Sequence, residues 1–251
     1  MIKHLSVSQI NTYLRCPLQY YFSYIREIKN PPKAAMMLGS SVHKALEYNY
    51  KQKIKSGKDL KPADVMECYD EEFNKRGLDV EWKEEKEKKE VFKDQGLRLL
   101  EKYQIEVAPT IQPLMVEQKY EIQLEGLGKT FMGFLDLVDT KFVITDHKTT
   151  ARTPSDISAD HNLQLIGYSM LYRAENKEQE AKSRIHYLIK TKEPKIMAID
   201  KKVTKKEIDR FLRTVSSVAK AISDENFYPN PHNFMCTETG CGYWDICHKE
   251  F

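Results

Sequence analysis

No stretch of this 251-residue sequence is apolar for long enough to span a bilayer. Polar residues interrupt the segment from Met1 to Cys16 throughout, so it lacks the apolar core of a secretory signal. Both absences direct the expectation to a cytoplasmic protein with no membrane partner. Cysteine is scarce, at five residues, and in that compartment a disulfide framework is not expected. An excess of one charge is also missing: 40 Lys and Arg against 37 Asp and Glu leave a net charge of +3, too little for a global basic field. A polyanion would have to be met locally, by Lys201, Lys202, Lys205 and Lys206 or by Lys190, Lys192 and Lys195; either group reads equally well as solvated surface. The sequence contains no internal repeat, no G-x-S-x-G and no H-E-x-x-H. Gly126-Leu127-Gly128-Lys129-Thr130 ends like a phosphate-binding loop, but that loop requires glycine where Gln123 stands, which removes the case for ATP hydrolysis.

What is present is a balanced globular composition, 41% hydrophobic and 31% charged, with a mean hydropathy of -0.61. The length suits one domain over residues 1–251 with an inserted helical lobe at about 51–110. Ser6-Val7-Ser8-Gln9 has the form of a capping box opening a short helix to Cys16, with Pro17 ending it. A second helix is expected from Ser40 to Lys55, where Val42, Ala45, Leu46 and Tyr50 recur at helical spacing and His43 and Glu47 share a face. Glu81 to Glu90, almost wholly charged and mixed in sign, reads as an exposed helix. From Leu114 the period becomes two: Val116, Tyr120, Ile122 and Leu124 face the core, and Glu117, Lys119, Glu121 and Gln123 face solvent. Strands at Phe131 to Val138 and Phe142 to Thr149 follow, joined by the short Asp139-Thr140-Lys141 turn. A helix over 156–175, strands over 184–191 and 195–200, and a helix over 204–224 complete an α/β chain with a mixed central sheet flanked by helices.

The second of those central strands carries the chemistry. Residues two apart on a strand project side by side, so Asp146 and Lys148 leave the same face, at the end of the apolar run Phe142-Val143-Ile144. A carboxylate and an ammonium placed there cost free energy unless something pairs them. A divalent cation would do so, and Asp136 on the neighbouring strand is placed to reach the same ion. The residues alone also admit an ordinary Asp–Lys cross-strand pair.

Gly133-Phe134-Leu135-Asp136 followed by Ile144-Thr145-Asp146-His147-Lys148-Thr149 resembles the metal-binding core of RecB-like PD-(D/E)XK nucleases. Leu38 to Glu47, with His43, resembles the family's upstream helix, and Gln164-Leu165-Ile166-Gly167-Tyr168 resembles its downstream helix, where Gln and Tyr four apart border the active site and the DNA. The resemblance implies the PD-(D/E)XK restriction-endonuclease-like core. It also implies His43, Asp136 and Asp146 as ligands of Mn²⁺ or Mg²⁺, the His147 carbonyl as a fourth ligand, Lys148 as the catalytic lysine, and Gln164 and Tyr168 beside the substrate. The activity implied is hydrolysis of DNA, preferentially single-stranded, by an exonuclease of recombination, repair or CRISPR-related processing, with protein partners in such a complex. Leu135 stands where the family name has Pro, and Asp146 is the shorter of its two permitted acids.

Three cysteines lie in Cys236-x4-Cys241-x5-Cys247, and Cys16 lies upstream. Four thiolates suit zinc or an iron–sulfur cluster, and the residues alone do not separate the two. Ser8 to Phe22 resembles the N-terminal segment of cluster-bearing relatives such as the AddB nuclease domain and the CRISPR-associated RecB-like family. That resemblance implies a [4Fe-4S] cluster on Cys16, Cys236, Cys241 and Cys247, joining Cys16 to the region 232–251, although the spacing from Cys236 to Cys241 is longer than usual. Cys68 reads as a packing thiol. Two other readings use the same residues: a non-catalytic DNA-binding module stacking bases on Tyr13, Tyr20, Tyr21 and Trp244, and an adaptor whose metals serve folding. Both leave Asp136, Asp146 and Lys148 without a task.

Overall fold

The structure, a computed structural model, describes residues 4–78, 80, 86–124, 126 and 128–251, with 86–88 described by backbone alone. Of the charged stretch Glu81 to Glu90, residues 81–85 lie outside the described residues. The first strand, β1 (His4–Leu5), leads into α1 (Val7–Arg15), where the Ser6 hydroxyl accepts from the Gln9 backbone N–H. Only half of the anticipated capping box forms: Gln9 turns its side chain inward, and Oε1 has no hydrogen-bond partner. The helix stops at Arg15, just ahead of Pro17 as anticipated, because the residue before a proline is driven out of the helical region. Cys16 is extended, and Pro17 occupies the first turn of a second helix, α2 (Pro17–Tyr20), where its missing N–H costs nothing. That helix runs into a π-helical turn at Tyr21–Ile25.

The helix anticipated from Ser40 begins a turn and a half earlier. α3 (Ala34–Ser56) buries Met37, Leu38, Val42, Ala45, Leu46 and Tyr50 along one side. α4 (Pro62–Arg76) and α5 (Lys86–Glu106) pack with it around Tyr69, Phe73, Leu99 and Tyr103. The next elements fall close to the periodicity: β2 (Pro113–Leu124), β3 (Lys129–Asp139), β4 (Val143–Thr150), α6 (Ala159–Asn176), β5 (Lys182–Ile189), β6 (Lys195–Lys201) and α7 (Lys205–Ser223); α8 (Trp244–Glu250) is a further short helix that the pattern did not mark.

Among the described residues six strands form one mixed sheet in the order β1-β3-β4-β5-β6, with β2 also on β3. β4 and β5 are parallel, and β2–β3, β3–β4 and β5–β6 are antiparallel. One face of the sheet is closed by α1, α6 and α7 over Phe131, Leu135, Val138 and Phe211. The other is closed by α3, α4 and α5 over Val116, Leu137 and Leu188. This is the mixed α/β sheet flanked by helices that the sequence anticipates. Among the described residues no helix is long and apolar enough to cross a membrane.

Two features of β3 open the sheet where function is concentrated. β3 and β4 pair only at Leu137↔Thr145 and Val138↔Ile144, so they separate immediately before Asp136 and after Thr145. The pleat of β3 also inverts there. Leu135 and Leu137, two apart, would face the same side of a regular strand, yet Leu135 packs under α6 and α7 while Leu137 packs under α3 and α5. On β2 the same inversion separates Val116 from Tyr120 and falls at Glu117, whose φ of 51° is left-handed. The β2–β3 ladder nevertheless keeps its register, with Val116↔Leu137 and Gln118↔Leu135 on either side.

Candidate metal centre and thiol cluster

In the gap between β3 and β4, Asp136 replaces the missing ladder bond: its Oδ2 accepts the backbone N–H of His147 at 2.9 Å. The same oxygen lies 3.3 Å from His43 Nδ1 and 3.6 Å from His147 Nδ1. Burial alone would raise this carboxyl, but His43, the contact with His147 and Lys148 hold it well below the usual carboxylate range. The second imidazole nitrogen of His43, Nε2, sits in tight contact with the His147 carbonyl oxygen. His43, Asp136 and both backbone polar groups of His147 therefore meet at one point.

Asp146 is almost fully enclosed, with a side chain 1% exposed. Lys148 Nζ donates to its Oδ1 at 3.0 Å and lies 2.9 Å from Oδ2 as an ion pair, but the latter approach lacks hydrogen-bond alignment, and Oδ2 has no hydrogen-bond partner among the described residues. A buried carboxylate oxygen without a hydrogen bond is costly, and one facing an acidic site is suited to a cation. Burial pushes the Asp146 carboxyl up; Lys148 opposes this and Asp136 adds to it.

One contributor was missed. Glu117, placed on the solvent face by strand alternation, is half-buried and joins His43 and Asp136 with ligand atoms within 4.8 Å of one another. Burial raises its carboxyl to about 7, helped by Asp136 and Glu47. Asp146 is not within that tight group. The left-handed backbone at Glu117 explains the miss, because a period-two reading assumes extended φ at every residue. His43, Glu117, His147 and Lys148 line a groove of about 540 Å³ together with Met36, Lys44 and Arg76, among others; Asp136 and Asp146 are not part of its lining. On α6, Gln164 Nε2 donates to the Tyr168 hydroxyl at 2.7 Å; burial raises the Tyr168 phenol, and the charges of Asp136 and Asp146 add to the rise.

At the other end of the molecule, Cys16, Cys236, Cys241 and Cys247 all line a single cavity with Phe22, Tyr243 and Trp244. The C-terminal segment is tied to the N-terminal helices by Leu18 N–H to the Tyr228 carbonyl (3.0 Å), Asn230 Nδ2 to the Arg15 carbonyl (2.9 Å) and Tyr243 hydroxyl to the Ile28 carbonyl (3.0 Å). Burial raises the Cys241 and Cys247 thiols, and neighbouring cysteines add to the rise. Cys68, on α4, is absent from this cavity. Tyr13 and Tyr20 are buried, with the Tyr13 hydroxyl bonded to the Asn226 carbonyl at 2.7 Å and Tyr20 stacked on Phe227. They pack the core and offer no face to a base.

The opening in the sheet thus gathers two carboxylates, an imidazole and a lysine around the ends of β3 and β4. The chain belongs to the PD-(D/E)XK nuclease superfamily, whose family model matches residues 4–248. Among solved structures, a Eubacterium rectale protein proposed to be an exonuclease has the same fold, with a TM-score of 0.67 at 15% identity over 99% of this chain and 88% of that one. The protein SSO0001 aligns over 97% of this chain and 96% of its own at 15% identity, with a TM-score of 0.41. Among curated proteins none matches.

Proposed function

We propose that the protein is a divalent-metal-dependent deoxyribonuclease, a single-strand-preferring exonuclease acting in recombination, repair or CRISPR-related DNA processing. The whole chain is read as one nuclease domain, with α4 and α5 as its inserted lobe. The observation that carries the reading is the buried Asp146 Oδ2 without a hydrogen bond, across the β3–β4 opening from the His43–Glu117–Asp136 group. The donor set of one imidazole, carboxylate oxygens and the His147 carbonyl suits Mn²⁺ or Mg²⁺. Bound there, the cation would supply Lewis-acid polarisation of the phosphodiester and acidify a water molecule.

The chain's own residues divide the remaining work. His43 and Asp136 are held together before any ligand arrives, because the backbone of His147 engages both. Lys148 is anchored on Asp146 with its ammonium partly accessible, placed to orient the attacking water and to stabilise the charge that builds on phosphorus. Gln164 and Tyr168, hydrogen-bonded to each other, form the wall on the α6 side. DNA would enter along the groove, where Lys44, Arg76 and Lys148 are the cations within reach of its phosphates.

Cys16, Cys236, Cys241 and Cys247 are proposed to hold a [4Fe-4S] cluster. What supports it is their shared cavity together with their spacing. In such a cluster each thiolate would bond a different iron, and a tetrahedral zinc is the alternative for the same four thiolates.

The test of the nuclease reading is incubation of end-labelled single-stranded DNA with the protein and Mn²⁺ or Mg²⁺, beside Asp146→Ala and Lys148→Ala. Wild type alone is expected to shorten the strand. Retarded mobility without shortening, under every metal tried, would instead identify a DNA-binding module.

A further inference from the structure

Behind the candidate metal centre lies a chain of buried polar side chains that none of the roles above uses. His147 and His186 are register partners on the parallel strands β4 and β5, and the hydroxyl of Tyr103, from α5, sits between their rings. It lies 2.9 Å from His147 Nε2 and 2.9 Å from His186 Nδ1, and it receives the Tyr50 hydroxyl at 3.1 Å. All four side chains are buried.

A phenol has one proton to donate and two lone pairs, so three neighbours saturate it in one way only: two donate inward and one accepts. Tyr50 is one inward donor. Of the two rings, the one that accepts is selected by Asp136, whose Oδ2 stands 3.6 Å from His147 Nδ1. A proton on that nitrogen faces a carboxylate, which leaves Nε2 of His147 to accept from Tyr103 and Nδ1 of His186 to donate to it. We propose that Tyr103 is a positioning residue, which holds the orientation of the His147 ring in the tautomer that Asp136 selects. It thereby fixes the backbone N–H that holds Asp136 and the carbonyl that meets His43.

The inference rests on the reading of His43 and Asp136 as cation ligands. Through it the lobe formed by α4 and α5 is coupled to the metal centre, although it supplies no ligand. The same logic gives metal-binding histidines their outer carboxylate or carbonyl partners; here the outer group acts on the main chain between two ligands.

The experiment uses the full-length protein. Imidazole ¹⁵N spectra of metal-free wild type are expected to show His147 protonated at Nδ1 and hydrogen-bonded at Nε2, and Tyr103→Phe is expected to lose the hydrogen-bonded shift at Nε2 while Asp136 keeps the proton on Nδ1. Mn²⁺ affinity, measured by calorimetry, should weaken about tenfold to a hundredfold in Tyr103→Phe, with KM for DNA unchanged and the rate recovering at high Mn²⁺. Tyr50→Phe is the control: it breaks the same buried chain but spares the Tyr103–His147 bond, so it should keep the hydrogen-bonded shift at Nε2, and the Mn²⁺ affinity within twofold. An unchanged His147 ring and Mn²⁺ affinity in Tyr103→Phe, or equal losses in the two variants, would overturn the proposal. Wild type that neither binds Mn²⁺ nor cuts DNA would overturn the nuclease reading instead, while the metal-free spectra would still decide the role of Tyr103.

Discussion

Glu117 stands opposite Asp136 across the β2–β3 ladder, at the one point where both strands turn their side chains from one face of the sheet to the other. The flanking pairs Val116↔Leu137 and Gln118↔Leu135 keep register while the φ of Glu117 becomes 51°. Two carboxylates therefore share a half-buried space with His43, an arrangement that repels itself until a cation enters.

Replacing Glu117 by Gln removes that repulsion without changing shape. The variant is expected to melt above wild type in metal-free buffer, because burial and Asp136 already hold the Glu117 carboxyl up at about 7. It should also lose most of the upward shift in melting temperature that Mn²⁺ gives wild type, since a ligand stabilises only in proportion to its affinity for the folded state. A variant that melts like wild type both with and without Mn²⁺ would remove Glu117 from the site.

The imidazole in the donor set predicts the metal preference. His43 Nδ1 is 3.3 Å from Asp136 Oδ2, and a nitrogen ligand favours Mn²⁺ over the more strictly oxygen-seeking Mg²⁺. Cleavage should be faster with Mn²⁺ at equal concentration, and His43→Asp, which substitutes an oxygen ligand, should narrow the difference. Equal or faster cleavage by wild type in Mg²⁺ would count against His43 as a ligand.

Much of this arrangement was legible in the sequence because it follows from strand periodicity. Asp136, Asp146 and Lys148 lie on strands whose apolar runs mark the core, and the short Asp139-Thr140-Lys141 turn brings those strands together. Glu117 was not legible, since a left-handed residue that preserves register leaves no trace in an alternating pattern. Tyr103 and His186 escaped notice for another reason: a lone tyrosine on a helix and a lone histidine on a strand read as ordinary core residues until the fold places them against His147. Pro17 marked the end of α1 through the extended residue before it, but nothing in the pattern showed that it also opens α2.

Helix α7 gives a prediction about acid stability. Its capping box is complete, with Thr204 accepting from the Glu207 backbone N–H and the Glu207 carboxylate accepting from the Thr204 backbone N–H. Burial opposes ionisation of Glu207, but Lys201 and Thr204 outweigh it and bring the carboxyl down to about 2. A depressed folded-state value means stability that is present at neutral pH and lost as pH falls from about 4.5 towards about 2. Denaturation across that range should show Glu207→Gln weaker than wild type at pH 7 and the two converging near pH 2. Thr204→Ala should cost about 1 kcal/mol, and a constant gap between Glu207→Gln and wild type at every pH would contradict the assignment.

Packing around α6 is tight at one glycine. A Cβ at Gly167 would come within 2.5 Å of Val7 Cγ2 and 3.3 Å of Phe211 Cζ, so α1 and α7 approach the helix where it has no side chain. Gly167→Ala is expected to destabilise by about 1–3 kcal/mol through overpacking, despite the better helix propensity of alanine. Because Gln164 and Tyr168 lie on the same helix, the substitution should also lower the cleavage rate. An urea midpoint equal to or above that of wild type would show that α6 can shift away from α1 at no cost.

The thiol cavity permits the sharpest separation of ligands from bystanders. Cys16 lies between α1 and α2 and the other three cysteines lie beyond residue 235, so a group bound by all four closes a loop of nearly the whole chain and restricts the unfolded state accordingly. Anaerobically prepared protein is expected to be brown, with about four iron and four labile sulfide per chain. Serine at Cys16, Cys241 or Cys247 should remove the iron and lower the melting temperature together. Serine at Cys236 should do the same if its longer spacing still reaches the cluster. Cys68→Ser should retain full iron, because that thiol packs on α4 away from the cavity. Zinc in place of iron, without sulfide, would establish a single-ion site; iron retained in Cys16→Ser would break the link between the two ends of the chain.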